Sequence, residues 1–156
     1  MFGLLAFFAF ALGAIVGSFL NVVIHRYPRE ESIVFPGSHC PHCNAPIGWY
    51  DNIPIVSYIV LGARCRRCGM PISARYPLVE LANALFYLAV FMHTGATIGF
   101  LLLAAIVSMT IALIYVDAEI QILPDVIDLP GIVIGIAIGA LALGASYTTL
   151  TVSSSL

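Results

Sequence analysis

Apolar residues run along this chain in long blocks, and most of the polar ones gather in a single stretch between the first block and the second. Residues 1–24 carry no charge. Apolar character returns over residues 78–92, a block that can be extended at its start and holds Glu80 and Asn83 near that end. It then continues over residues 98–116 and 129–145, both uncharged. A helix needs about 20 mostly apolar residues to cross a bilayer core, with a usual range of roughly 17–25. The pattern predicts an all-α integral membrane protein with about four transmembrane helices. A secretory signal peptide would explain the first block only with a positive leading segment, and no Lys or Arg precedes Arg26. A retained span is expected.

Between the first two blocks, residues 26–77 are dense in turn formers: Pro28, Pro36, Gly37, Pro46, Gly48, Pro54, Gly62, Gly69, Pro71 and Pro77. Such punctuation predicts short turns and irregular backbone rather than long helices. A polar stretch of this length without its own core would be disordered unless something staples it. The expected division is a first transmembrane helix over 1–25, a polar loop over 26–77, and a three-helix membrane part over 78–156. Within the spans, Gly13 and Gly17, and Gly131, Gly135 and Gly139, recur four apart, as in helices whose backbones approach closely.

Composition sharpens this picture. The 156 residues are 61% hydrophobic and 9% charged, against roughly 25% charged in a soluble domain. The chain has no Lys, and all six Arg (Arg26, Arg29, Arg64, Arg66, Arg67 and Arg75) fall in or at the edge of the loop. Cationic residues near span ends stay cytoplasmic. The loop is therefore expected inside, with the N-terminus outside. The net charge of −2 adds little to this. No nucleic-acid partner is expected.

All four cysteines lie in the loop, as Cys40-Pro-His-Cys43 and Cys65-Arg-Arg-Cys68. Two such pairs about 20 residues apart have the spacing of a four-thiolate zinc site, each on a tight turn that aims two sulfurs at one point. Gly69 suits the left-handed conformation such a turn needs. Structural disulfides are rare in the cytoplasm. An iron site would use the same four thiolates. A thioredoxin-like role would need one pair in a strand–helix unit, which the turn-rich context does not offer. With four sulfurs present, His39 and His42 are expected outside the metal shell. A closed four-thiolate zinc leaves no open position for water, so its role is structural.

Four acidic residues cluster after the third block: Asp117, Glu119, Asp125 and Asp128. Asp125 and Asp128 precede the fourth block, where either would serve as a helix cap, with Pro130 in the first turn. Asp117 has no such role. It follows an apolar span at a helix C-terminus, where the dipole disfavours negative charge. An ionisable group there marks a functional site by default.

Taken in order, these motifs resemble the type IV prepilin peptidase family, the bifunctional leader peptidases and N-methyltransferases of pilus and type II secretion systems. Gly17-Ser-Phe-Leu-Asn-Val-Val-Ile-His-Arg26 resembles the family's first-span exit. The two cysteine pairs with Asn52-Ile-Pro-Ile-Val-Ser-Tyr58 between them resemble its zinc-binding loop. Arg75-Tyr-Pro-Leu-Val-Glu80 and the segment from Asp117 to the Leu-Pro-Asp ending at Asp125 continue in the family's order. The resemblance implies an intramembrane aspartyl endopeptidase of the bacterial inner membrane. It would cleave prepilin or pseudopilin leaders on the cytoplasmic side and methylate the new N-terminus with S-adenosylmethionine.

The resemblance also implies that Asp117 is the first catalytic aspartate, with Asp125 and Glu80 as supporting acids. For Glu80 a partnership with Arg75 is the plainer expectation. The family's second aspartate sits in a later Gly-x-Gly-Asp, and here no acidic residue follows Asp128. The expectation is a fragment, a truncated product, or a chain whose second half is supplied separately, unable to hydrolyse a peptide alone. No Gly-rich nucleotide cradle marks a methyl-donor site. Two other readings stand beside this one: a non-catalytic membrane protein whose zinc loop docks a cytoplasmic partner, and a transporter fragment with Asp117 as a proton relay.

Overall fold

A computed structural model describes residues 2–120, 130–131 and 133–135 of the chain. Helices dominate it: α1 over Phe2–Arg26, α2 over Val56–Val60, α3 over Arg75–Thr94 and α4 over Ile98–Ile120, with single 3-10 turns at Tyr27–Arg29 and Trp49–Asp51. Among the described residues there is no strand, only two isolated bridges, His39 with Pro46 and Arg64 with Pro71. Three helices, Phe2–Arg29, Arg75–Thr94 and Ile98–Ala118, are long and apolar enough to cross a membrane.

The helix ends follow local chemistry. α3 starts at Arg75, ahead of the apolar block proper, and takes Pro77 into its first turn, where a missing N–H breaks no helical bond. It closes at Gly95, whose φ of 64° is open to glycine, with the Gly95 amide on the Phe91 carbonyl at 2.8 Å. α4 outruns its apolar block by four residues. Ala118, Glu119 and Ile120 include no helix breaker, so the helix carries Asp117 inside its last turns instead of ending before it. The fourth span expected over 129–145 lies mostly outside the described residues. Pro130, Gly131 and residues 133–135 are helical, and no described atom lies within 4 Å of a Cβ added at Gly131 or Gly135.

α1 and α3 make the most intimate pair. A Cβ on Gly13 would sit 2.8 Å from the Ala84 Cα, and one on Gly17 would sit 2.7 Å from the Glu80 Cα. Such distances admit only hydrogen, so the two glycines set how close the helices come. Above and below this contact, α4 completes two apolar clusters. One holds Leu20, Ile24, Val79, Ile111, Ala112 and Val116, and the other Ala9, Tyr87, Phe91, Phe100 and Ala104. Between them runs a buried polar chain. The Tyr87 hydroxyl meets Ser108 Oγ at 2.9 Å, Ser108 donates to Asn83 Oδ1 at 3.1 Å, and Asn83 Nδ2 donates to the Gly13 carbonyl at 2.7 Å. In lipid, satisfied groups of this kind hold helices together at about 0.6–2 kcal/mol each.

Candidate functional site

The loop is built around its two cysteine pairs, and both use one turn. In the first, the Cys40 amide donates to the Ala45 carbonyl and the Asn44 amide returns to the Cys40 carbonyl. In the second, Cys65 donates to Met70 and Gly69 returns to Cys65. The residue after each second cysteine is left-handed, Asn44 at φ 53° and Gly69 at φ 70°. Asn and Gly are the residues that tolerate this region best. Gly69 was legible in the sequence; Asn44 does the same work and went unread there.

The four sulfurs converge, all within 4.8 Å of one another. A tetrahedron with metal–sulfur bonds of about 2.3 Å has edges of about 3.8 Å. The Cys40 and Cys68 sulfurs are 3.8 Å apart. All four are free cysteines, and that separation is far beyond a disulfide bond of about 2.05 Å. The disulfide alternative is closed. The cluster could hold a metal ion. The Cys68 and Arg67 amides hold the Cys65 thiol down at about 6. At Cys68 the Met70 amide pulls the same way, but burial and the thiols of Cys43, Cys65 and Cys40 outweigh it and push Cys68 up to about 11. His39 is exposed, with Nδ1 3.1 Å from the Gly37 carbonyl, and His42 is exposed as well.

Other contacts fix the cluster to its surroundings. Arg66, between the second pair of sulfurs, grips Asp51 through Nε and Nη2 at 2.6–3.1 Å and lies 5.8 Å over the Tyr50 ring. The guanidinium keeps the Asp51 carboxyl below the usual carboxylate range. Beneath, Glu80 of α3 is 8% exposed and its Oε2 accepts the Ile55 amide at 2.7 Å. That backbone amide lies 25 residues away and had no local signal in the sequence. Ile55 has a positive φ of 63° with ψ −49°, and the Val56 amide reaches the Pro54 carbonyl at 2.6 Å across it. This is the strained γ-turn, a genuine outlier for a β-branched residue.

A cavity of about 610 Å³ opens between the loop and the ends of α1 and α3, its wall including Asn21, His25, Tyr58, Tyr76 and Glu80. Asn21 is buried, its Nδ2 donates to the Tyr76 carbonyl at 3.0 Å, and its Oδ1 has no hydrogen-bond partner. Asp117 lies half-buried on α4, directly after fully buried Val116. Asp125 and Asp128, expected as a supporting acid and as caps, lie outside the described residues, as does the side chain of Glu119.

A family model described as the bacterial peptidase A24 N-terminal domain matches residues 11–94. The chain is 48% identical over 135 residues to the prepilin leader peptidase/N-methyltransferase of Myxococcus xanthus, covering 86% of this chain and 40% of that protein. It is 46% identical over 132 residues to the protein of the same name from Klebsiella pneumoniae, covering 79% and 57%. With the one from Pseudomonas aeruginosa it shares 39% over 160 residues, covering 86% and 54%. The chain thus spans about half the length of the curated relatives it matches. No solved structure matches it.

Proposed function

The chain belongs to the bacterial A24 prepilin peptidase family, and from that premise we propose that it works in prepilin processing at the inner membrane. In this reading its loop is zinc-stapled and Asp117 is one acid of an aspartyl pair. The substrates are type IV prepilins or pseudopilins, cleaved on the cytoplasmic side, with N-methylation of the new N-terminus. The observation that carries the reading is the 48% identity over most of the chain with a protein named for both activities. The arginines support its orientation, since all six lie at or within the loop and cationic flanks stay inside.

The donor set fits zinc: four thiolates with one edge at 3.8 Å and none beyond 4.8 Å. Zinc bound by Cys40, Cys43, Cys65 and Cys68 supplies a fixed crosslink and no open site for water. What the chain does with that crosslink is positional. The paired turns hold the segment between them, residues 44–64, so that Ile55 meets Glu80 at the top of α3.

Peptide hydrolysis by an aspartyl pair needs one carboxylate to take a proton from water and one protonated acid to polarise the scissile carbonyl. Asp117 supplies one of the two from the end of α4. The other would come from the Gly-x-Gly-Asp segment that the family resemblance implies. S-adenosylmethionine would bring an activated methyl group.

The test is complementation. Cells lacking their own prepilin peptidase receive this chain together with the spans of a relative that carry Gly-x-Gly-Asp, and prepilin is followed by immunoblot. Processing is expected with the wild-type chain and is abolished by Asp117→Asn. Equal processing by Asp117→Asn would overturn the assignment.

A further inference from the structure

α2 is amphipathic within its single turn and a half. Ser57 faces inward, 7% exposed, accepting the Ile53 amide at 3.0 Å and donating to the Tyr50 carbonyl at 3.1 Å. Val56, Ile59 and Val60, spaced i, i+3 and i+4 on one helix face, are 52%, 71% and 73% exposed. The turn Trp49–Asp51 packs against α2 and presents Trp49, 81% exposed. Single exposed apolar residues are ordinary, but an apolar face of this kind marks an interaction surface.

Two contacts fix the height of this surface. Glu80 lies five residues into α3, about 7.5 Å along the helix at 1.5 Å per residue. Its carboxylate holds the Ile55 amide, so α2 begins alongside the body of a membrane-crossing helix and not above it. On the other side Arg26, the buried last residue of α1, donates to the carbonyls of Ser32 at 2.9 Å and Gly37 at 3.3 Å. The strap between those carbonyls, with Val34 and Phe35 66% and 76% exposed, is tied to the exit of α1. The headgroup layer is about 5–8 Å deep on each side of the core. Both apolar features are thus anchored within one or two helical turns of a span's end.

We infer that the loop carries a lipid-binding face, in which Val56, Ile59 and Val60 of α2, Trp49 beside them and the Val34-Phe35 strap rest in the headgroup layer of the leaflet that α1 and α3 leave. The occupant is the bilayer the spans already sit in, because each apolar feature is tethered to the end of a span, α2 through Ile55 to Glu80 and the strap through Ser32 and Gly37 to Arg26. Charge agrees. Residues 26–77 hold six arginines against three carboxylates, Glu30, Glu31 and Asp51, a balance drawn to anionic lipid. Trp at the boundary between headgroups and hydrocarbon is the usual anchor of a membrane protein.

Trp49 is the only tryptophan in the chain, so its fluorescence reports the surface without mutation. The whole chain is reconstituted into phosphatidylcholine–phosphatidylglycerol vesicles, with and without phosphatidylcholine brominated near the top of its acyl chains. Emission shifted to the blue, quenched strongly by the brominated lipid and weakly by aqueous acrylamide, is the expected result. A Trp49→Phe, Ile59→Trp double variant moves the reporter onto α2 and should behave alike. Emission open to acrylamide and indifferent to bromine would place the face in water and overturn the inference. Emission shielded from both quenchers would show protein covering it, a second copy or a partner, and would overturn it equally.

Discussion

Glu80 joins two parts of the molecule through one atom. Its Oε2 satisfies the amide of Ile55, a residue held in a γ-turn that costs on the order of 1–3 kcal/mol. A hydrogen bond typically returns roughly 0.5–1.5 kcal/mol net, so this contact offsets part of that cost. Glu80→Ala should therefore loosen the loop without unfolding the spans. Hydrogen exchange at residues 53–60 is expected to rise many-fold while α3 beyond Asn83 stays protected, and unchanged exchange would show that the contact carries nothing. Glu80 was visible in the sequence as an acid near a span start, but its partner was not. The two lie 25 residues apart, and only the folded loop brings them together.

At the scale of elements, packing of α1 on α3 depends on the absence of side chains at Gly13 and Gly17. The first added atom at Gly17 would lie 2.7 Å from backbone of α3, which has no rotamer to give. Gly17→Leu should force the pair apart and destabilise the bundle by about 1–3 kcal/mol or more. Gly3→Leu is the matched control, since a Cβ there meets nothing within 4 Å. Thermal unfolding in detergent should separate the two variants, and equal midpoints would contradict this account of the interface. Spacing made these glycines readable. The polar chain through Asn83, Tyr87 and Ser108 was harder to read, because each residue alone is unremarkable in an apolar run and only helix register across three elements aligns them. Helix identity followed from apolar length, whereas the extra turn that takes Asp117 into α4 followed from the lack of a breaker after Val116.

For the whole molecule, the arrangement is a membrane bundle whose polar loop is closed on itself at the four sulfurs and fastened below at Arg26 and Glu80. The cysteine spacing made the closure legible, since each pair is a local turn and the only long-range demand is that two turns meet. Where the loop sits against the bundle was not legible, because it depends on contacts without sequence pattern. The most direct test of this account is the metal content of the purified whole chain, read by native mass spectrometry in detergent. One zinc per chain is expected, lost in a Cys40→Ser, Cys68→Ser double variant, whose loop between 44 and 64 should then be cut readily by protease. A chain that carries no metal, or the double variant retaining both its zinc and its resistance, would contradict it.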